Sequence, residues 1–379
     1  MENAEQADVP SPQAERLAHT GGVYAVAAGR WQGSRVFASG GRDGTVRLWD
    51  AVTGRPLGPA LIGHAKEVRD IAFAGPDRDI LVTGDGGGVV LRWRSRAGVP
   101  HGEPLGELEK RVAGIGVADV DGRSVVGVGI TDGTMRIFDA VTGEPHAELF
   151  IGSGWTMNRA DLGVLDGRLV ALTVAHDPAE SRPRLSTVTL WDVAAGEPLH
   201  EPTKVPEESE SLGVLGTLDA RLVVVQGMNP YGDDDADDAD DEDEDEDDED
   251  DDSDGDGDGD DNPYQSEYFL EEMFDFRVVD VATGRELSRF YSPNGEAGAA
   301  AVAGSARGNV ALVTVGNEVI VMDAGVGNAA DVGEFRYTGH GAYVLCVAAA
   351  EVVGRTIVAS GDGAGHLRFW DLDTPDRRP

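Results

Sequence analysis

Short apolar runs recur along the whole chain, separated by Gly, Asp-Gly and Pro turns. In the first period the pattern predicts four strands, at Val23 to Ala28, Arg35 to Ser39, Thr45 to Trp49 and around Pro56 to Leu61. Apolar residues at helical spacing are nearly absent, so these short runs favour strands. A sheet this small cannot bury its own faces. The sheets must therefore stack on one another around an axis.

The strand pattern repeats seven times. Each period is marked by a short apolar run that ends in Asp, or in Arg in one case, and successive marks are 44, 45, 53, 88, 43 and 48 residues apart. A period of this length indicates a repeat architecture. A glycine lies four residues beyond each of the first six marks, which predicts a tight turn with positive φ at each place. The marks are Asp50, Arg94, Asp139, Asp192, Asp280, Asp323 and Asp371, and the glycines are Gly54, Gly98, Gly143, Gly196, Gly284 and Gly327.

The first period reads HTGGVYAVAAGRWQGSRVFASGGRDGTVRLWD and resembles a repeat of the WD-repeat β-propeller family. The resemblance extends from about His19 to Asp371. It implies an all-β, seven-bladed propeller, in which each blade is a four-stranded antiparallel sheet. It also implies a buried hydrogen-bonded set of His, Ser, Asp and Trp in a blade, and the matching residues of the first blade are His19, Ser39, Asp43 and Trp49.

Two other blades match this set in part. The second has Gly87 and the seventh Ala364 where the Asp belongs. The third keeps the Asp but has Phe138 for Trp, and blades four to six have lost most of the set. The best copies are therefore neighbours on the ring. The further members of the predicted structural sets are His64, Thr83, Trp93, Asp132, His340, Ser360 and Trp370.

The resemblance also predicts how the ring closes. Only LDTPDRRP follows Asp371, which is too short and polar for a fourth strand, so residues 13–18 are expected to complete the last blade and cover its edge. Residues 1–12 and 372–379 are expected to be tails. The expected blades are 19–61, 62–105, 106–150, 151–200, 201–291, 292–336 and 337–371.

One acidic segment dominates the charge of the chain. Residues 233–261 contain 23 of the 70 acidic residues and no basic one, so the rest of the chain carries 47 acids against 31 bases. An acidic body argues against direct nucleic-acid binding and favours a basic partner. A segment of this composition cannot fold alone and should reach roughly 30 Å as a coil. It could be an inert solubilising run, or an arm that binds a basic protein or imitates nucleic acid.

Metal binding by the acidic arm has a weak motif. Asp254, Asp256 and Asp258 precede Gly259 as in the start of a calcium loop, but the twelfth position is Gln265 rather than Glu. The pattern therefore predicts no specific metal site, with at most weak association of divalent cations. No cofactor is expected.

The partner site is expected where loops are elaborated. By the resemblance, the second-to-third-strand loops and the links between blades share one face, and the long ones are 176–186 in blade four and the region of the acidic arm in blade five. Loops carry function more often than the scaffold. The aromatic residues there could instead pack the insertion onto the propeller, and the arginines could pair with the arm. The predicted partner-binding residues are Trp155, Met157, His176, Arg182, Arg184, Tyr231, Asp247, Asp250, Tyr264 and Tyr268.

Catalytic motifs are missing from the sequence. No HExxH or Gly-x-Ser-x-Gly motif occurs, Gly84 to Val90 is not followed by Lys-Ser/Thr, and Cys346 lies in an apolar strand pattern. We therefore predict a non-catalytic protein-interaction scaffold. The alternatives are a propeller enzyme, which would gather carboxylates or histidines at the channel mouth, and an acidic chaperone or nucleic-acid mimic acting through the arm.

Other features suggest where the protein works. One cysteine cannot form an intramolecular disulfide, and no apolar run has the length of a signal peptide or membrane span. A cytoplasmic monomer without membrane contact is expected. Arg outnumbers Lys 28 to 3, a bias typical of a GC-rich bacterial genome.

Overall fold

The computed structural model describes residues 14–96, 99–176, 185–206, 213–218, 220–228, 274–292, 297–305, 308–324 and 335–373. Within these ranges the regular structure is β-strand, and no helix there is long and apolar enough to cross a membrane. The predicted fold class is confirmed: the strands form seven antiparallel sheets, the blades of a β-propeller.

The strands follow the chain from blade to blade. The last blade is completed by β1 (Ala14–Leu17). Blades one and two consist of β2 (Val23–Trp31), β3 (Ser34–Gly41), β4 (Thr45–Asp50), β5 (Leu61–Ile62), β6 (Val68–Ala74), β7 (Ile80–Asp85), β8 (Val89–Arg96) and β9 (Val99–Glu107). Blades three and four consist of β10 (Val112–Val120), β11 (Arg123–Ile130), β12 (Thr134–Asp139), β13 (Pro145–Phe150), β14 (Thr156–Leu165), β15 (Arg168–His176), β16 (Leu185–Asp192), β17 (Glu197–Pro198) and β18 (Thr203–Pro206).

The remaining blades have the same plan. They consist of β19 (Val214–Leu218), β20 (Arg221–Met228), β21 (Phe274–Asp280), β22 (Glu286–Ser292), β23 (Ala297–Ser305), β24 (Gly308–Val315), β25 (Glu318–Asp323), β26 (Phe335–Tyr337), β27 (Val344–Val352), β28 (Arg355–Asp362) and β29 (His366–Asp371). Consecutive strands pair antiparallel in each sheet. Blade four differs only at its outer edge, where β16 pairs with both β17 and β18.

Seven apolar clusters hold the ring together, and each lies between two neighbouring blades. The middle strands are covered on both faces, so they read as continuous apolar runs; every residue of β7 is buried. The cluster that joins blade seven to blade one contains Ala18, Cys346 and Phe37. Cys346 is therefore a core residue.

The turn glycines are confirmed where the structure describes them. Gly54, Gly143, Gly196 and Gly284 have φ of 62°, 80°, 69° and 67°. The Asp that ends four of the marks stabilises this turn: the carboxylate of Asp50, for example, accepts the Thr53 amide at 2.8 Å. The same turn recurs after Asp139, Asp192 and Asp280. Gly98 and Gly327 lie outside the described residues.

The ring closes through the N-terminal strand, as predicted. β1 pairs with β29, with Ala14 opposite Phe369 and Leu17 opposite His366. The Ala18 amide donates to the Gly365 carbonyl at 2.8 Å, and Arg368 lies 3.1 Å from the Glu15 carboxylate. The first strand of the chain and the last thus belong to one sheet.

Removing residues 1–18 should destabilise the whole ring, because the variant loses the β1 pairing and uncovers the edge of β29. We expect a loss of roughly 2 to 4 kcal/mol from the backbone hydrogen bonds alone. Urea unfolding measures it, with a variant lacking only residues 1–12 as control. Equal midpoints for both variants would show that β1 does not secure the closure.

Candidate functional site

The links between blades and the second-to-third-strand loops share one face of the ring, called the loop face below. Hydrogen bonds join the two kinds of segment: the Gly86 amide donates to the Glu67 carbonyl at 3.0 Å, and the Gly363 amide donates to the Tyr343 carbonyl at 2.9 Å. A rigid ring therefore presents both sets of loops together.

Two predicted partner residues lie at the same end of the β14–β15 pair, on the loop face of blade four. Thr156 pairs with His176 between β14 and β15, and Trp155 directly precedes Thr156. Both Trp155 and His176 are half-buried, so each keeps some accessible surface. The Trp155 indole lies over Gly152, where an added Cβ would be 2.9 Å from the ring. Gly152 therefore makes room for the indole.

Met157 differs from its expected place on the partner surface. Its side chain is fully buried and belongs to the cluster between blades three and four. It pairs with Ala175 and follows Thr156 on the strand, so alternation turns it into the core. Burial of an apolar thioether in the core stabilises the fold more than exposure to water would. Met157 is therefore part of the scaffold.

A described backbone pair of the ring flanks each of the two insertions. In blade four, His176 pairs with Ser186; in blade five, Met228 pairs with Asp275. Both pairs lie at the loop-face ends of their strands. The predicted partner residues between them lie outside the described residues and remain predictions: Arg182, Arg184, Tyr231, Asp247, Asp250, Tyr264 and Tyr268, together with the possible metal ligands Asp254, Asp256 and Asp258.

The buried set of blade one is present as a continuous hydrogen-bonded chain. The Trp49 indole N–H donates to Ser39 Oγ at 2.9 Å, Ser39 Oγ is 2.8 Å from His19 Nε2, and His19 Nδ1 is 3.0 Å from Asp43 Oδ1. A carboxylate only accepts, so His19 donates through Nδ1 and accepts the Ser39 hydroxyl proton at Nε2. Each polar group of the set is therefore satisfied.

Blades two and seven have the same chain, with its carboxylate supplied from another position. His64 Nδ1 is 3.1 Å from Asp85 Oδ2, and His340 Nδ1 is 2.8 Å from Asp362 Oδ2. The hydroxyls of Thr83 and Ser360 lie 2.6 and 2.7 Å from the Nε2 atoms and accept the indoles of Trp93 and Trp370 at 2.8 Å. Asp85 and Asp362 were not predicted as members of the set.

The Asp of blades two and seven stands two residues earlier than that of blade one. Asp85 and Asp362 follow the network hydroxyl by two positions, whereas Asp43 follows it by four. In blade one the earlier position is Gly41, where an added Cβ would lie 2.4 Å from the His19 ring. The carboxylate thus reaches the imidazole from either of two places. The sequence contains an Asp two residues after the Thr or Ser in both blades. It was not predicted because the family pattern places the Asp four residues after that hydroxyl.

Apolar residues replace the buried hydrogen-bonded set in blade three, and blade four keeps one of its hydrogen bonds. In blade three, Leu108, Val128 and Phe138 pack in one apolar cluster, and Asp132 accepts the Thr134 amide at 3.0 Å. An apolar replacement leaves no buried donor without a partner. In blade four the Trp191 indole still donates to Thr173 Oγ1 at 2.8 Å, a pair that the sequence pattern did not predict.

Burial sets the protonation of the networks. It lowers the pKa of His19, His64 and His340, and outweighs the carboxylate beside each imidazole. Burial alone would raise the pKa of Asp43, but the hydrogen bonds from Thr45, Thr20 and His19 together lower it to about 2. The three imidazoles are therefore neutral at neutral pH.

The networks contain the Ser–His–Asp order of hydrolase triads, but their Ser hydroxyls are not placed for attack. Ser39 and Ser360 are completely buried, and each Oγ already accepts a Trp indole. A nucleophile must reach its substrate. These sets therefore stabilise blades.

The channel side of the ring carries two carboxylates. Asp70 lies on β6 and Asp161 on β14, the first strands of blades two and four. Burial raises the pKa of both, and the Arg159 guanidinium opposes the rise in both. Each carboxylate uses its two oxygens to accept two backbone amides. These hydrogen bonds give both carboxylates a role in holding strands in position.

A cavity of about 400 Å³ opens on the opposite face, lined by Pro76, Asp77, Asp79, Ile80 and Val141 among others. In the described ranges, no group of three or more His, Cys, Asp or Glu side chains is arranged to hold a metal ion. Burial raises the pKa of the Cys346 thiol well above its usual range. The thiol therefore stays protonated at neutral pH.

Replacing Asp362 by Gly should cost about 3 kcal/mol, because His340 loses its carboxylate inside the core. Adding Ala364→Asp to this variant recreates the blade-one arrangement and should restore most of the loss. Urea unfolding of both variants and of Ala364→Asp alone gives the coupling energy. Additive effects would contradict the equivalence of the two Asp positions.

The free energy of unfolding should fall as pH is lowered below 6.5. The pKa of each network histidine is lowered in the fold, so the unfolded chain binds more protons below its own pKa and acid favours unfolding. Each histidine contributes a slope of up to about 1.4 kcal/mol per pH unit. The measurement uses a background with Asp70→Asn and Asp161→Asn, because the raised pKa of each carboxyl makes its contribution opposite in sign. A flat profile from pH 7 to 5 would contradict this role.

Comparison with known proteins agrees with this geometry. Residues 11–50 match the family described as WD domain, G-beta repeat, and this segment contains β1 and the first three strands of blade one. The chain is 26% identical over 194 residues to "Protein tipD" of Dictyostelium discoideum, a match that covers 51% of this chain and 29% of that protein. The matched repeat and the seven blades agree with the resemblance: the chain is a seven-bladed β-propeller in which residues 11–50 match a WD repeat.

Proposed function

We propose that the chain is a non-catalytic protein-interaction scaffold that binds a basic protein or peptide on the loop face of blades four and five. WD-repeat propellers generally serve as interaction scaffolds. One observation carries the choice of surface: two long insertions begin and end at single backbone pairs, at the same face of neighbouring blades. One of them contains the 23 acidic residues of 233–261.

The ring and the insertions have different parts in this proposal. The ring is rigid because apolar clusters fill every joint between blades, so it holds the described ends of the insertions at fixed positions. The acidic arm attracts a cationic partner and speeds encounter, and this attraction weakens with salt. The acidic arm therefore raises the association rate, and the ring contributes the specificity for the partner.

Trp155 is the described residue best placed to anchor a partner. It is half-buried beside His176, at the point where the blade-four insertion begins. Tryptophan offers a large apolar surface with one N–H donor and is enriched among residues that dominate binding energy. A partner that contacts the start of the blade-four insertion would therefore also reach the end of β14 that Trp155 precedes.

The proposal predicts capture of basic proteins that depends on salt and on the arm. The chain, a variant lacking residues 233–261, and Trp155→Ala are immobilised, and bound proteins are identified by mass spectrometry at low and high salt. A captured partner is then titrated against each variant. We expect the deletion to remove most of the salt dependence and Trp155→Ala to weaken binding about tenfold.

Val52→Ala is the matched control, because Val52 is an exposed apolar residue in a turn on the opposite face. It should bind as the unchanged chain does. Partners that bind the deletion variant and Trp155→Ala with full affinity would contradict the proposed surface. Partners bound by the excised acidic segment alone would favour the chaperone or nucleic-acid-mimic function instead.

A further inference from the structure

Two arginines on the channel side of the ring have no acceptor for their N–H groups. Arg69 lies on β6 of blade two and Arg159 on β14 of blade four, near the loop-face ends of these strands, and both are half-buried. Neither guanidinium forms an ion pair or a hydrogen bond with any residue that the structure describes. A guanidinium is always charged and has five N–H donors. Both arginines therefore keep these donors for a ligand.

Register shifts in the first strands of the blades place the two side chains. One strand has an additional residue at each shift: in blade two this residue is Arg69 itself, and in blade four it is Asn158, directly before Arg159. A bulge of this kind changes the direction of the side chains around it. Arg159 and Asp161 are two residues apart beyond the shift, so they lie on the same side of β14.

The Tyr24 ring fixes the direction of Arg69. The guanidinium carbon of Arg69 lies over this ring, 5.2 Å from its centroid. Tyr24 is the additional residue of the register shift in β2, so the contact joins equivalent places in blades one and two. A Cβ added at Gly22 would lie 3.3 Å from the tyrosine ring, so the backbone of blade one supports the ring from behind. A guanidinium stacked on an aromatic face keeps the N–H groups at its edge for other acceptors.

The carboxylates near Arg159 are already used by backbone amides. Arg159 acts through space on Asp70 and Asp161. Asp70 and Arg159 are each the first residue after the shift in their strands, and in blade three, which lies between them, this place belongs to Gly114. Glycine has no side chain that could separate them. Both oxygens of each carboxylate accept a backbone amide. The two anions therefore balance the charge of Arg159 without taking up its donors.

A carboxylate is the group that fits these donors best. Its two oxygens accept two parallel N–H groups of one guanidinium, and charge strengthens both hydrogen bonds. Because the two arginines lie on different blades, a ligand with two carboxylates can give one to each. A phosphate carries a second negative charge, which Asp70 and Asp161 beside Arg159 would repel. The Tyr24 ring adds an apolar surface for the carbon chain next to a carboxylate.

We propose that Tyr24, Arg69 and Arg159 form a binding site for acidic side chains of a peptide that enters the channel from the loop face. We call these three residues the carboxylate site. An extended peptide places alternate side chains on one side, so two glutamates separated by one residue point the same way. This inference goes beyond the proposed function, because the ligand is acidic rather than basic and the site requires neither Trp155 nor the acidic arm.

The test titrates the full chain with the peptide acetyl-Glu-Leu-Glu-amide at about 150 mM NaCl, where long-range repulsion is screened. The Nε–Hε signals of Arg69 and Arg159 are followed by NMR. Both signals should shift with the same dissociation constant. The neutral counterpart, acetyl-Gln-Leu-Gln-amide, should bind about tenfold more weakly or less, because it lacks the charge-assisted hydrogen bonds.

Two sources fit this chemistry, a separate protein and residues 233–261 of the chain itself. A variant lacking residues 233–261 distinguishes them. If the chain's own segment is the ligand, the deletion alone should shift the Nε–Hε signals of Arg69 and Arg159 before any peptide is added. If the ligand is a separate protein, both signals should stay in place. Either result supports the carboxylate site and identifies the source of its ligand.

Matched variants make the test specific. Arg69→Gln and Arg159→Gln should each weaken binding of the glutamate peptide about tenfold, and Arg69→Lys, which keeps the charge but loses the planar fork, about threefold. Arg30→Gln is the control, because Arg30 is exposed near the opposite end of β2 and its loss changes the net charge equally. It should bind as the unchanged chain does.

Arg69→Gln keeps the test decisive even if the loss of Arg159 beside two buried carboxylates unfolds the chain. Thermal unfolding of each variant is measured first, and only folded variants are titrated. Equal binding of the glutamate and glutamine peptides would overturn the proposal. So would a loss of affinity in Arg30→Gln as large as that in Arg69→Gln, because binding would then follow net charge alone.

Discussion

A blade of this ring can bury its two apolar faces only when a neighbour covers each of them. Seven clusters meet that condition, and the cluster between blades seven and one includes Ala18 directly after β1, the strand that brings the beginning of the chain to its last sheet. The middle strands can be apolar on both faces for the same reason. The ring is thus a closed cooperative unit, in which the loss of one joint exposes two faces. The described strands alone complete this closure.

Much of the fold could be read from the sequence because a propeller repeats its local rules. The period, the turn glycines such as Gly54 and the closing strand each follow from spacing and residue type. The network of blade one was predicted for the same reason. Asp85 and Asp362 were not predicted because the prediction relied on the residue spacing of the family. In the folded blade, a carboxylate two residues earlier in the chain reaches the equivalent imidazole.

Other features depend on contacts that no single strand encodes. Met157 was expected at the surface because the sequence analysis placed it in a link between blades. It lies on β14 instead, where side chains alternate between the two sides of the strand, and its own side chain is in the core. Asp70 and Asp161 look like ordinary polar residues, and only the packing of neighbouring inner strands brings amides to their second oxygens. Environment also gives the same residue type opposite properties: donors hold the pKa of Asp43 at about 2, and burial raises that of Asp161 to about 7.

The backbone pair of Met228 and Asp275 also affects how well the chain tolerates insertions of different length. It fixes both ends of the blade-five insertion next to each other, so adding residues between them moves neither end. The entropy of closing a loop grows only with the logarithm of its length, and a doubling costs about 0.6 kcal/mol. Low-complexity expansion at this point is therefore nearly neutral for folding. The same position is a natural place to insert a foreign domain or a fluorescent reporter without disturbing the ring.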